Sequence, residues 1–96
     1  MTKNNRLTRQ VTIHNRLGMH ARPAAMISKI AQKAEKGVWI GIGDTVAEAS
    51  SIIDILSIGC RQGSQVMLSV ESETDLPILE SIRELIEDGF GEDNNE

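Results

Sequence analysis

The sequence predicts an α+β fold, an open-faced two-layer sandwich in which a four-stranded, mainly antiparallel sheet carries three helices on one face. Two patterns define it. Four segments with period-2 apolar alternation and three with apolar residues at helical spacing follow one another as β-α-β-β-α-β-α. The length fits this architecture: 96 residues with 40% apolar content supply one modest core. A single domain over residues 1–96 is therefore expected, with a flexible lead-in over about 1–6 and an acidic, disordered tail over about 91–96.

In chain order, Val11 and Ile13 alternate with Gln10, Thr12 and His14, which predicts a strand over Thr8 to Asn15 with His14 on the surface. Arg16-Leu17-Gly18-Met19 forms the loop into the first helix. Ile27, Ile30, Ala31 and Ala34 then make one apolar stripe, so that helix is expected from Pro23 to Lys36. Pro23 suits its first turn, Gly37 its end, and Lys33 and Lys36 the negative end of its dipole. Val38, Ile40 and Ile42 form a second strand, with Trp39 on the opposite face as either a contact residue or a cover for the lead-in. Gly43-Asp44 turns the chain into a short third strand over Thr45 to Ala47.

Ser50 and Ser51 precede Ile52, Ile55 and Leu56, which predicts a short capped helix ending at Gly59. Ile53 and Ile58 lie off its stripe, so part of this helix is expected to face a partner. Cys60 follows as a small packing residue. Val66, Leu68 and Val70 mark the fourth strand. The last helix carries Ile78, Leu79, Ile82, Leu85 and Ile86, with Pro77 in its first turn and Thr74 or Asp75 as its cap. Gly89-Phe90 resembles a Schellman ending, with the ring folding back onto the helix.

Composition excludes several functions. Fourteen acidic against ten basic residues give a net charge of −4, and one Trp, one Phe and no Tyr leave no basic, ring-lined surface for nucleic acid. No apolar run approaches the ~20 residues of a membrane span. With one cysteine and no apolar signal core, a cytoplasmic setting is expected. Two histidines and one cysteine without ligand spacing offer no metal site, and no Gly-rich phosphate loop is present, so no cofactor is expected.

The stretch that carries chemistry is Gly18-Met19-His20-Ala21-Arg22-Pro23-Ala24-Ala25. It sets His20 at or just before a helix N-terminus, where free backbone N–H groups and the dipole favour an anion, and Arg22 adds a fixed charge. Phosphoryl transfer needs a nucleophile and donors for the phosphoryl oxygens. His20 supplies the first; the N–H groups of Ala21 and Arg22 and the Arg22 side chain supply the second, and Pro23 has no N–H to give. Small side chains at Ala21, Ala24 and Ala25 leave room for another protein. The same residues also describe an ordinary helix start with a surface arginine.

Asn15 to Ala25 (NRLGMHARPAA) closely resembles the active-site segment of the HPr family, the histidine-containing phosphocarriers of the bacterial phosphotransferase system. Ser51 to Gly59 (SIIDILSIG) resembles that family's second signature, and the GFGED stretch near residue 90 is similar too. The resemblance implies that His20 accepts a phosphoryl group on Nδ1 from phosphoenolpyruvate-dependent enzyme I and passes it to a IIA-type protein, with Arg22 neutralising the phosphate. It makes the chain a carrier rather than a stand-alone enzyme, and a monomer. Ile52, Ile53 and Leu56, with Ala21, correspond to the docking patch around the histidine. Ser51 corresponds to a serine that in some relatives is phosphorylated by HPr kinase/phosphorylase, and it equally reads as a plain helix cap. Asp54 departs from the family pattern and sets an acid on the docking helix. The alternative function is a regulatory module whose binding depends on phosphorylation state. Sugar uptake and nitrogen-type regulation are both compatible with Met19 before the histidine.

Overall fold

A computed structural model describes residues 7–92. Strands β1 (Leu7–Thr12), β2 (Val38–Ile42), β3 (Thr45–Glu48) and β4 (Gln65–Val70) form one sheet in the order β1-β4-β2-β3. Every neighbouring pair is antiparallel. Helices α1 (Ala21–Ala31), α2 (Ile52–Ser57) and α3 (Leu76–Glu87) complete the sandwich. The register aligns Arg9, Leu68, Ile40 and Ala47 in one row across all four strands. Side chains alternate about this row, so Val38, Ile40, Val66, Leu68 and Val70 turn into the core with Ile27, Ile55, Leu79, Ile82 and Ile86 from the helices. Each such side chain contributes about 1.5–3 kcal/mol through its removal from water. The opposite sheet face bears Thr8, Gln65, Met67 and Val46 and remains open. At the β2–β3 turn, Gly43 has φ +58 whereas Asp44 keeps a negative φ, in keeping with the Gly-first hairpin expected there.

The first strand is shorter than the alternation suggests. Its ladder runs from Leu7 opposite Val70 to Thr12 opposite Gln65, where β4 begins. Ile13 still exchanges backbone bonds with Ser64 and Gly63, but Asn15 leaves the sheet and turns fully inward. The first helix is displaced toward the N-terminus, starting at Ala21 and ending at Ala31 rather than running from Pro23 to Lys36. The last turn tightens, with the N–H groups of Lys33 and Ala34 bonding three residues back to Ile30 and Ala31, and Asp75 takes the next two. Its carboxylate accepts the backbone N–H groups of Glu35 and Lys36 at 2.8 Å each, withdrawing them from helical bonding. Asp75 thus holds the position before α3 without capping it. The adjoining 3-10 turn, Glu73–Asp75, is capped instead by Ser72, which accepts from the N–H of Thr74. Trp39 is half-buried, with its ring lying against Gly37; the lead-in it was expected to cover lies outside the described residues.

The largest difference lies after α3. Gly89, Phe90 and Gly91 all have positive φ (+70, +60 and +72), making a left-handed turn closed by the bond from the Glu92 N–H to the Gly89 carbonyl. A left-handed conformation costs a non-glycine residue about 1–2 kcal/mol. Burial of the Phe90 ring, only 1% exposed, offsets that cost. The ring folds back as expected, and it fixes the residues that follow. Glu92, assigned by sequence to a disordered tail, is held against the start of α1; residues 93–96 lie outside the described part.

Candidate functional site

The loop into α1 is shaped by close backbone approach. Gly18 has φ +67, and a Cβ there would lie 2.7 Å from the Cys60 carbonyl oxygen and 2.9 Å from Cα of Arg61. Only glycine fits, so the loop packs on the segment after α2, and the Met19 N–H bonds to the Cys60 carbonyl at 2.9 Å. Met19 and Cys60 are both buried, and burial pushes the Cys60 thiol up. This packing presents the next residue, His20, as the N-cap of α1, in extended conformation and with its side chain 35% exposed.

The His20 carbonyl accepts the first intrahelical bond, from Ala24. Its side chain makes no capping bond, and Pro23, in the third helical position, has no N–H. The helix start therefore presents the N–H groups of Ala21 and Arg22, the two donors expected from sequence. Ala21 and Arg22 are exposed while Pro23 and Ala24 are buried, so the helix is anchored on one side and open on the other.

The Arg22 guanidinium lies across the Gly89–Gly91 turn. Its Nη1 donates to the Phe90 carbonyl at 3.2 Å and to Glu92 Oε2 at 3.1 Å. The same Oε2 is 3.0 Å from Nε2 of His20. Glu92 Oε1 in turn accepts from Nδ2 of the fully buried Asn15 at 3.0 Å, while Nδ2 also donates to the Gly18 carbonyl at 2.8 Å. Burial alone would raise the Glu92 carboxyl. The hydrogen bonds from Asn15 and His20 and the charges of His20 and Arg22 outweigh it and hold the group below the usual glutamate range.

His20 and Arg22 are thus brought together, as the sequence suggests, through a third residue it did not single out. Neither Asn15 nor Glu92 was assigned a role. The usable signal was the Phe90 staple: a ring buried at 90 leaves residue 92 little freedom to wander.

Helix α2 lies against α1. Ser28 of α1, itself buried, donates its hydroxyl to the Ser50 carbonyl at 2.7 Å, and the Met19–Cys60 bond ties the other end of α2 to the loop before His20. Ser51 caps α2 as expected, its hydroxyl oxygen accepting from the Asp54 N–H at 3.2 Å. Ser28 lies eight residues beyond His20, so Ser51 sits beside a point ~12 Å along the α1 axis from the histidine. Only Ile55 of α2 is buried. Ile52, Ile53 and Leu56 are exposed, Ile53 by 78%, and Leu17 in the loop before His20 is 72% exposed. The apolar surface near the histidine is therefore wider than the α2 patch read from sequence. None of the described helices is long and apolar enough to cross a membrane.

Comparison with known proteins identifies this arrangement. The family model described as "PTS HPr component phosphorylation site" matches residues 7–88. The phosphocarrier protein NPr of Klebsiella oxytoca is 34% identical over 84 residues, covering 86% of this chain and 93% of that protein. The phosphocarrier protein HPr of Treponema pallidum (strain Nichols) is 31% identical over 88 residues, covering 91% and 99%. The crystal structure of HPr-C-His from Thermoanaerobacter tengcongensis superposes with a TM-score of 0.84 at 34% identity, covering 91% of this chain and 98% of that one. Fold and relatives agree on the class, a phosphocarrier protein. With the family match running from β1 through α3, the chain belongs to the HPr family of the phosphotransferase system.

Proposed function

We propose that this chain accepts a phosphoryl group on Nδ1 of His20 from phosphoenolpyruvate-dependent enzyme I and passes it to a IIA-type protein. The observation that carries the reading is the position of His20: a half-exposed imidazole at the N-cap of α1, inside the family match, beside two N–H donors. In the transfer, the imidazole lone pair attacks phosphorus as the bond from phosphorus to its donor breaks. Nothing further is asked of the protein than to place the ring and stabilise charge on the oxygens. The N–H groups of Ala21 and Arg22 and the positive end of the α1 dipole suit that task. Arg22 neutralises the phosphoryl group, exchanging its contact with the Glu92 carboxylate for one with the incoming dianion.

Docking is assigned to Ala21, Ile52, Ile53 and Leu56, joined by Leu17. Ile53 and Leu17 are largely exposed and Ile52 and Leu56 partly so, on the helix and loop that pack beside the start of α1, where Ala21 is exposed as well. Ser51 is assigned a regulatory role on the same surface. A phosphoryl group there gains from the start of α2, and it adds negative charge beside Asp54 and the docking residues. Relatives named NPr and HPr lie at similar identity, 34% and 31%, so the reading is of carrier chemistry common to both.

Incubation with phosphoenolpyruvate and enzyme I should add an acid-labile, alkali-stable phosphoryl mass that His20→Ala abolishes. A mass increase that survives this substitution overturns the reading.

A further inference from the structure

Glu92 constrains the histidine in a way that the carrier chemistry by itself does not require. An ionised carboxylate can only accept hydrogen bonds, and Glu92 lies beside the Arg22 guanidinium, 3.1 Å from Nη1. Its 3.0 Å contact with the imidazole is therefore a bond donated by Nε2. In a neutral imidazole one nitrogen bears the hydrogen and the other the lone pair, and the partner of one sets the state of the other. With the hydrogen on Nε2, the lone pair lies on Nδ1, which hydrogen-bonds to no described residue.

The carboxylate is itself held in place. Glu92 is only 17% exposed, and its second oxygen is taken by the buried Asn15 amide, which is oriented by its own bond to the Gly18 carbonyl. The Phe90 ring anchors the chain two residues earlier. Glu92 is thus fixed from both sides and faces one edge of the imidazole.

We propose that Glu92, oriented by Asn15, is a positioning residue that fixes His20 as the Nε2–H tautomer and so directs phosphoryl attachment to Nδ1. The inference rests on the phosphocarrier reading. It adds the device that selects the ring nitrogen. Without the carboxylate either nitrogen can present its lone pair; with it, Nε2 is both protonated and covered.

The choice of nitrogen can be read without any partner protein, using phosphoramidate as a chemical donor. The imidazole lone pair attacks phosphorus, the P–N bond of the reagent breaks, and ammonia leaves. Phosphorus and nitrogen NMR then report which ring nitrogen carries the phosphoryl group, and nitrogen shifts of the unreacted neutral ring report its tautomer. The unmodified chain should show the Nε2–H tautomer and the Nδ1 adduct alone. Glu92→Ala should lose that exclusivity, with Nδ1–H signal and Nε2 adduct both appearing. Glu92→Gln keeps one accepting oxygen where Asn15, His20 and Arg22 all donate, so it should fall between the unmodified chain and Glu92→Ala in tautomer and adduct. A Glu92→Ala protein that keeps the Nε2–H tautomer and gives only the Nδ1 adduct overturns the proposal. So does an Nε2 adduct on the unmodified chain. Neither result touches the carrier reading, which stands or falls on His20 phosphorylation by enzyme I.

Discussion

The carboxylate of Asp75 accepts the backbone N–H of Lys36 at 2.8 Å through one oxygen, while its other oxygen takes the N–H of Glu35 at the same distance. This pairing joins the segment before α3 to the segment between α1 and β2. With Asp75 buried, it pins the chain just past the end of α1 to the start of α3.

Asp75→Asn should therefore destabilise the fold by about 1–3 kcal/mol at pH 7, because an amide group turned toward two N–H donors leaves at least one of them unpaired. Burial would raise the Asp75 carboxyl, but hydrogen bonds from Glu35, Lys36 and Gly37 and the Lys36 charge overcome it and lower it. The folded group therefore titrates below the ordinary aspartate value of about 3.9. A depressed folded value contributes stability above the unfolded value and loses it as pH falls through the folded one. Urea unfolding should accordingly show the gap between the two proteins at pH 7 and its closure at pH values below the folded titration.

Phe90→Ala should cost about 3–5 kcal/mol, the usual loss for a buried phenylalanine, since the ring is fully enclosed. The alanine retains the unfavourable positive φ while losing the burial that offset it. Because Phe90 anchors the approach of Glu92, the His20 nitrogen signals should shift as well. A stability loss below 1 kcal/mol in urea unfolding, with those signals unmoved, would contradict the anchoring role.

Strand and helix identities were legible because each core position obeys a local period: Val66, Leu68 and Val70 alternate, and Leu79, Ile82 and Ile86 recur at helical spacing. His20 and Arg22 were legible for the same reason, since a proline near a helix start is a local signal. What was not legible depends on contacts distant in sequence. Asp75 reaches back 39 and 40 residues to hold the N–H groups of Lys36 and Glu35, just past a helix whose own pattern continues to Ala34. Glu92 reaches back 72 residues to His20, and no periodicity marks it among the acidic residues at 92–96. The resemblance to a known family supplied the expectation of Nδ1, and the Glu92 contact is the physical cause proposed for it.

Ser51→Ala should cost about 1 kcal/mol through loss of the cap bond to the Asp54 N–H, whereas Ser51→Asp should retain the cap. The aspartate adds a charge next to Asp54 on the proposed docking surface, so association with enzyme I should weaken while the fold persists. Thermal unfolding and calorimetric titration separate the two effects. Equal affinity of Ser51→Asp and the unmodified chain for enzyme I would remove Ser51 from the regulatory role.

Ile53→Glu tests the docking surface at its most exposed position. At 78% exposure the isoleucine contributes little to the core, and substitutions at such sites usually change stability by no more than about 0.5 kcal/mol. If a partner buries this side chain near the centre of its contact, truncation or charge there costs more than about 1 kcal/mol of binding, and about 1.4 kcal/mol corresponds to tenfold in affinity. The expected result is an unfolding midpoint close to that of the unmodified chain with affinity for enzyme I reduced about tenfold or more. Phosphoramidate, which needs no docking surface, should still modify His20 at the unmodified rate. Loss of both reactions would place the effect at the imidazole itself, and loss of neither would move the docking surface away from α2.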